Sequence, residues 1–168
     1  MPQVTIAPAK APARLALSRE FVLEAAPEAV FPLLCPTLEY DWIPIWACEL
    51  VHSDSGVAEM DCVFITDFPE RGGREVWTCT RYEPPARIEY VRMGEGRVTR
   101  LAIGLRPEGP GRTRVTWGQV ITALDADHAA LVEEYGRTRY PGDIIGLEQM
   151  LAHHLATGQC LGKVPGRD

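Results

Sequence analysis

The first regular pattern in the chain is an alternation of apolar and polar residues between positions 14 and 23. Leu15, Leu17 and Phe21 share one parity, and Arg19 is the charged residue that interrupts that face. A period of two is typical of a strand with one buried face. The pattern therefore predicts a first β-strand over residues 14–23.

Two short helices are expected directly after this strand. Ala26-Pro27-Glu28 places proline in a first helical turn and an acidic residue near the positive end of the helix dipole. Pro36 should end that helix, because proline cannot donate to the helical hydrogen-bond ladder. A second short helical turn is expected over residues 37–42.

Six further strands are expected between positions 45 and 124. Segments rich in β-branched and aromatic residues alternate there with turns that contain Gly, Pro, Ser or Asp. We place the strands at residues 46–52, 59–68, 74–82, 87–93, 97–106 and 112–124. Sequential strands joined by short turns pair as an antiparallel meander.

The longest helical pattern lies near the end of the chain. An apolar stripe at spacings of three and four residues comprises Ile144, Leu147, Leu151 and Leu155. We expect a helix over residues 143–157, with Asp143 as its N-cap and Gly158 as its C-cap.

A shorter helical segment is expected before this helix. Asp125 or Asp127 can provide its N-cap, since a short acidic side chain accepts from the first free backbone N–H groups. Gly136, Pro141 and Gly142 should then interrupt it. The pattern thus predicts two separate helical segments after the last strand.

The order of these elements predicts an α+β fold. The apolar face of a sheet must be covered, and the terminal helix is the one predicted element large enough to do so. We expect a curved seven-stranded antiparallel sheet wrapped around that helix. Unless large side chains fill the space between them, this arrangement leaves a pocket.

Composition supports one folded unit. The chain has 168 residues, of which 46% are hydrophobic and 24% charged, enough apolar surface to offset the entropy lost on folding. We assign residues 14–158 to a single domain, residues 1–13 to a flexible arm and residues 159–168 to a tail. The net charge is −6 and no basic run is present, so a nucleic-acid partner is not expected.

Membrane and metal sites also have little support in the sequence. No segment approaches the ~20 apolar residues of a membrane span, and the first residues lack the apolar core of a secretory signal, so we expect a cytoplasmic protein. The chain has five cysteines and no C-x-x-C pair. An odd count without an export signal argues against a disulfide framework, and we expect neither a metal nor a cofactor.

Two segments resemble a known superfamily. Phe21-Val22-Leu23 followed by Ala26-Pro27-Glu28-Ala29-Val30-Phe31 resembles the opening of the helix-grip fold of the START and birch-pollen-allergen superfamily, SRPBCC. Trp117 in the last strand and the terminal helix match its layout, and the likeness covers residues 14–158. The segment 34–44 resembles a polyketide-cyclase-like bacterial subgroup, from which no catalytic residue is carried over. The superfamily includes lipid carriers, hormone receptors, polyketide cyclases and oxygenase subunits, so the resemblance implies the fold and a cavity.

Strand parity then selects the side chains that would face this cavity. Aromatic groups with a few polar groups among them are what a small-molecule pocket needs, whereas a filled core is the alternative. The predicted lining comprises Trp46, Cys48, Cys62, Phe64, Trp77, Cys79, Arg81, Tyr90, Leu101, Ile103, Trp117, Gln119, Tyr135, Leu147, Met150, Leu151 and His154.

Three classes of function stay open at this point. The first is a binding module for a small hydrophobic or aromatic molecule. The second is a cyclase- or hydratase-type enzyme for an aromatic or polyketide-like substrate, whose candidate polar groups are Glu75, Arg81, Gln119, Tyr135 and His154. The third is an interaction module, such as a homodimer, with a filled pocket and an exposed apolar patch.

The cysteines predict a specific arrangement. If the turns centre near Gly56 and Arg71, then Cys48 lies opposite Cys62, and Cys62 opposite Cys79. A soft metal or an electrophile could use such a row, but buried cysteines more often fill a core.

Other titratable groups are interpreted as structural. His154 flanks the apolar stripe of the terminal helix, while His153 points to solvent. His154 could contact a ligand or serve as a base, but we interpret it as a histidine at the boundary of the core that is hydrogen-bonded to backbone. Glu39 and Asp41 could form an acid–base pair, but we interpret both as solvated charges at the pocket rim.

Overall fold

The computed structural model describes residues 13–162. The predicted N-terminal arm, residues 1–13, and the predicted tail, residues 159–168, lie largely outside these residues. The strands are β1 (Arg14–Leu23), β2 (Glu49–His52), β3 (Val63–Phe68), β4 (Gly73–Glu83), β5 (Arg87–Gly94), β6 (Arg97–Pro107) and β7 (Thr113–Ala123). The helices are α1 (Pro27–Val30), α2 (Ala126–Glu134) and α3 (Tyr140–Thr157). Short 3-10 turns cover Phe31–Leu34, Glu39–Asp41 and Pro69–Arg71, and a π-helical turn covers Tyr135–Arg139.

Within the described residues the strands form one antiparallel sheet in the order β1-β7-β6-β5-β4-β3-β2. This confirms the predicted seven-stranded antiparallel sheet, the meander of its six later strands β2 to β7, and the short helical turns between the first two strands. The sheet curves around α3 without closing, and β1 and β2 are its two edge strands. The helix-grip architecture expected from the sequence is therefore the observed one.

Strands β2 and β3 are shorter than the sequence predicts. The backbone N–H of Trp46 donates to the carbonyl of Ile43, which makes a turn of the segment assigned to the start of β2. Before β3, Asp61 takes a positive φ of 64° and the N–H of Cys62 donates to the carbonyl of Glu59. Turns rather than strands occupy these two stretches because their backbone groups bond locally.

The terminal helix is longer than predicted. Residues 126–157 form one helical segment of 32 residues, so Gly136, Pro141 and Gly142 do not interrupt it as expected. The π-helical turn before Pro141 explains why. The N–H of Tyr140 donates five residues back to the carbonyl of Tyr135, and this wider turn accommodates a residue that cannot donate.

The predicted caps have mixed outcomes. The Asp125 side chain accepts from the N–H of His128 at 2.9 Å and caps α2, which confirms one of the two predicted N-caps. Gly158 ends α3 in the left-handed conformation, as predicted. Asp143 is not an N-cap, because the helix begins before it, and its carboxylate pairs with Arg71 at 3.3 Å instead.

Arg19, which interrupts the apolar face of β1, has a structural partner on the helix. Its guanidinium donates twice to Glu148 of α3, with N···O distances of 3.0 and 2.7 Å. A charge on an inward-facing strand position is tolerated because a carboxylate meets it there. The pair joins the edge strand β1 to the helix that the sheet surrounds.

None of the helices between residues 13 and 162 is long and apolar enough to span a bilayer.

Candidate ligand cavity

A cavity of about 380 Å³ lies between the concave face of the sheet and α3. The segment between α1 and β2 covers part of it. Its apolar wall comprises Leu34, Pro36, Ile43, Pro44, Ile45, Trp46, Phe64, Phe68, Trp77, Leu101, Ile103, Trp117, Ile144, Leu147 and Met150. Its polar wall comprises Glu39, Arg71, Glu75, Tyr90, Arg92, Gln119, Tyr135, Tyr140 and Asp143.

One wall of the cavity is a packed aromatic cluster. The rings of Phe64 and Trp77 stack with centroids 5.2 Å apart, and Tyr90 meets Phe64 edge-on at 5.7 Å. Trp46 approaches Trp77 at 6.5 Å and Phe68 at 5.9 Å. These contacts fix the rings relative to one another, so the wall presents rigid aromatic surface to any occupant.

The polar atoms of this cluster are satisfied within the protein. Trp77 Nε1 donates to Thr66 Oγ1 at 2.9 Å, and Trp46 Nε1 donates to the carbonyl of Pro36 at 2.8 Å. The Tyr90 hydroxyl donates to the carbonyl of Leu34 at 3.0 Å, and burial raises the pKa of Tyr90 well above its usual range. The cluster therefore contributes mainly apolar contact area to the cavity.

Glu39 is a cavity carboxyl group whose protonation is strongly perturbed. Burial raises the pKa of its carboxyl group to about 8, and no cation of the described chain lies within ion-pair distance of it. Asp41, on the same 3-10 turn, is exposed. A carboxyl group that is protonated at neutral pH and borders an apolar cavity can donate or accept a proton near pH 7.

A second polar centre of the cavity is built around Arg92. Its guanidinium lies 4.8 Å from the centroid of the Trp77 ring, 3.4 Å from a carboxylate oxygen of Glu75 and 3.3 Å from Gln119 Oε1. Arg97 donates to the other carboxylate oxygen of Glu75 at 3.1 and 3.0 Å. Glu75 is thus shared by two arginines.

A smaller polar cavity of about 330 Å³ adjoins this centre. Arg71, Arg92, Tyr135 and Asp143 line both cavities, and Arg97 and Arg139 line the second. Glu70 and Glu134 also line the second cavity, so the apolar cavity continues at one side into a space that contains both arginines and carboxylates.

Comparison with known proteins rests on structure. The sequence matches no protein-family model and no curated protein. Norcoclaurine synthase from Thalictrum flavum, solved with dopamine and hydroxybenzaldehyde, has a TM-score of 0.66 and 12% identity over 92% of this chain and 96% of its own. Mll3558 from Rhizobium loti has a TM-score of 0.60 and 20% identity over 84% and 96%. DynU16, from the dynemicin biosynthetic locus, has a TM-score of 0.58 and 15% identity over 86% of this chain and 48% of its own, so this chain spans about half of DynU16.

This chain has the helix-grip fold. The likeness establishes the architecture and leaves the ligand and the chemistry to be argued from the cavity itself.

The helix-grip sheet brings most of the predicted lining residues to the cavity wall. Those that lie there are Trp46, Phe64, Trp77, Tyr90, Leu101, Ile103, Trp117, Gln119, Tyr135, Leu147 and Met150. Those that lie elsewhere are Cys48, Cys62, Cys79, Arg81, Leu151 and His154. That the residues at the cavity wall bind a ligand stays a prediction.

Arg81 lies away from the cavity because the strand is irregular. A β-bulge between Cys79 and Arg81 changes the parity of β4 after Cys79. Arg81 instead pairs with Glu83 at 2.9 Å and with Glu89 at 3.6 Å. The same-parity argument holds for Glu75 and Trp77, which precede the bulge.

The cysteine row is shorter than predicted. Cys62 does lie opposite Cys79, whose N–H donates to the Cys62 carbonyl at 3.1 Å, and both thiols are fully buried. Cys48 is not part of the row, because β2 begins after it and pairs Leu50 with Phe64. Its Sγ lies 3.5 Å from the carbonyl of Pro36. Among the described residues no group of three metal-ligating side chains converges.

The last turns of α3 also lie away from the cavity. Leu151 is buried in the core, and His154 has an enclosed Nδ1 with no partner in the described chain. Leu147 and Met150, one turn earlier, border the cavity together with Tyr140, Asp143 and Ile144 of the same helix. The apolar stripe of α3 is therefore continuous, but only its first half borders the cavity.

Sequence reasoning missed two residues of the site. The sequence predicts Glu39 as a rim charge, although its spacing of three from Pro36 and from Trp42, which is fully buried, favours a position on the same side of the chain as these two residues. Arg92 was not selected, although it follows Tyr90 by two on β5 and shares its face. Both signals are present in the sequence.

Proposed function

We propose that this protein binds a small, largely aromatic or apolar molecule in the cavity between the sheet and α3. The observation that supports this most is the cavity itself, of about 380 Å³, in the place where a filled core would stabilise the fold. An aromatic-lined space of this size leaves apolar surface in contact with water, which costs free energy unless a ligand covers it.

The chemistry of the wall indicates the kind of ligand. The indole N–H groups of Trp46 and Trp77 are bonded within the protein, and the faces of these rings offer stacking surface. A flat aromatic molecule would gain both buried area and ring contacts. Norcoclaurine synthase, which shares the fold, was solved with two aromatic molecules, dopamine and hydroxybenzaldehyde.

Calorimetric titration with 2-naphthol tests this proposal. We expect the wild type to bind the probe and Leu147→Trp, which fills the cavity from α3, to lose that binding. Ile145→Trp is the matched control, because Ile145 is exposed on the same helix and should leave binding intact. Absence of binding to wild type, or equal binding to Leu147→Trp, would contradict the proposal.

A second candidate function is proton-transfer catalysis of the cyclase or hydratase type. The observation that favours it is Glu39, whose pKa is raised to about 8 at the wall of an apolar cavity. Of the candidate polar groups for an enzyme, Glu75, Gln119 and Tyr135 line the cavity, and Arg92 contacts the first two. These groups could hold a polar substituent while Glu39 exchanges a proton with the substrate.

Exchange of the α-protons of 2-tetralone in D₂O, followed by NMR, tests this candidate. We expect wild type to accelerate exchange above the buffer rate, increasingly as Glu39 ionises near pH 8. Glu39→Gln should return exchange to the buffer rate, and Asp41→Asn, an exposed neighbour, should not. A wild-type rate equal to buffer would leave the protein a binder without this chemistry.

A further inference from the structure

The strongest feature beyond the aromatic cavity is the charge balance around Arg92, where the two cavities meet. Arg92, Arg97 and Arg71 face only Glu75 and Asp143 as ion-pair partners in the described chain. Buried charges are normally matched, because an uncompensated charge away from water is costly. This group of five side chains carries one positive charge in excess.

The excess charge is concentrated in the buried part of the group. The side chain of Glu75 is 6% exposed, that of Arg92 is 18% exposed and that of Arg97 is 22% exposed. Arg71 and Asp143 form a separate pair of their own at 3.3 Å. Two partly buried guanidinium groups therefore share one buried carboxylate.

Arg92 also has the less complete hydrogen bonding of the two arginines that share Glu75. Its Nε is enclosed and has no acceptor in the described chain, and its contacts to Glu75 and Gln119 are 3.4 and 3.3 Å long. Charge-assisted bonds of this kind are ordinarily about 2.7–2.9 Å. Arg97, by contrast, bonds Glu75 at 3.1 and 3.0 Å. Arg92 thus retains capacity to donate to another acceptor.

Gln119 is oriented in a way that adds to this capacity. Its Oε1 accepts from Arg92, which leaves its NH₂ group as a donor at the cavity wall. The Trp77 ring beneath Arg92 holds the guanidinium in place at 4.8 Å. A held guanidinium next to an amide donor is a geometry that suits a planar anion.

We propose that the ligand carries one carboxylate, which is bound by Arg92 and Gln119 while its aromatic body occupies the cavity beside Trp77. This inference rests on the proposed binding function and specifies the class of ligand. A single carboxylate would match the one excess positive charge. Recognition must be local, since the whole chain carries a net charge of −6 and does not attract anions at long range.

Calorimetry with 2-naphthoate and the neutral, nearly isosteric 2-naphthamide tests the inference. We expect wild type to bind the carboxylate at least about tenfold more tightly, the effect of hydrogen bonds to a charged group. Arg92→Met should remove this preference while changing the affinity for 2-naphthamide little. Arg100→Met is the control, because Arg100 pairs with Glu89 and is half-exposed outside the cavity.

The outcomes separate the two proposals. Equal affinity of wild type for both probes, or a preference that survives in Arg92→Met, would overturn the carboxylate site and leave the binding function standing. Failure of wild type to bind either probe would overturn the binding function as well. If Arg92→Met does not fold, Arg92→Lys, which keeps the charge but lacks the Nε donor and the planar fork, should still lower the preference, and an unchanged preference would count against the site.

Discussion

The hydroxyl group of Tyr140 donates a hydrogen bond to the backbone carbonyl of Trp117 at 3.2 Å. This bond joins the first turn of α3 to the middle of β7. Both residues also line the cavity, and the Trp117 side chain is 4% exposed. The distance between the helix and the sheet, and thus the width of the cavity, is set at this point by a specific contact.

Trp117→Ala should weaken both folding and binding. A buried tryptophan contributes about 3 kcal/mol or more to the free energy of unfolding, and we expect a value at this lower end, since one side of Trp117 already borders a void. The affinity for 2-naphthol should fall because a ring of the wall is lost. Urea unfolding and calorimetry measure the two effects, and a variant that matches wild type in both would show that Trp117 does not face the cavity.

Tyr140→Phe should have a smaller and separable effect. It removes the bond to Trp117 but keeps the ring, so we expect a loss of about 1 kcal/mol in the free energy of unfolding. Burial raises the pKa of Tyr140 to about 12, so this loss should not change between pH 6 and pH 9. A pH-dependent loss over that range would mean that the hydroxyl ionises, contrary to its buried position.

Glu39→Gln should alter how stability depends on pH. The pKa of Glu39 is raised from 4.5 to about 8, so the folded state binds its proton more tightly than the unfolded state does. This contribution is fully present below about pH 4.5 and is lost as pH rises through about 8, with a slope of at most ~1.4 kcal/mol per pH unit. Relative to wild type, the glutamine variant should therefore become more stable as pH rises. Asp41→Asn, with an exposed carboxylate, should run parallel to wild type in the same urea titrations, and a parallel course for Glu39→Gln would refute the buried acid.

The sequence predicts the regular parts of this molecule better than its exceptions. Strands β6 and β7 follow the alternation of their side chains closely, because each has one buried face. The bulge after Cys79 and the π-helical turn before Pro141 are single-residue irregularities that periodicity cannot register. The bulge places Arg81 outside the cavity, and the π-helical turn allows the terminal helix to continue past Pro141.

The polar groups of the site depend on contacts between distant segments. The high pKa of Glu39 arises from burial that only the tertiary fold creates, and the sharing of Glu75 by Arg92 and Arg97 requires the pairing of β4, β5 and β6. Periodicity can place Arg92 on the correct face, but it cannot show that its Nε is left without a partner.

The β5–β6 turn should tolerate substitution poorly. Gly96 has a φ of +72°, and a Cβ there would collide with the ring of His128, which two contacts to Asp125 hold in place. Gly111 has a similar φ of +66°, but a Cβ there meets no described atom within 4 Å. Gly111→Ala should cost about 1 kcal/mol of stability for the left-handed backbone, and Gly96→Ala a further ~1–3 kcal/mol for the collision. Equal melting temperatures for the two variants would contradict this packing of α2 on the turn.

The Arg71–Asp143 pair should control access to the cavity. The pair, at 3.3 Å, connects the β3–β4 turn to α3, and both residues line the cavity. Asp143→Asn weakens this connection, so stopped-flow binding of 2-naphthol should show faster association and faster dissociation, with an affinity within about threefold of wild type. Glu24→Gln weakens the Glu24–Arg112 pair, which lies outside the cavity lining, and should leave both rates unchanged. Rates in Asp143→Asn that match wild type would place the entrance elsewhere.

A crystal structure of the protein soaked with 6-bromo-2-naphthol tests the central claim most directly, since the anomalous signal of bromine locates the probe without interpretation of weak density. We predict one strong peak inside the cavity, between the aromatic wall around Trp77 and the helix residue Leu147. A peak confined to the protein surface, or a cavity closed by side chains with no peak inside it, would contradict the account.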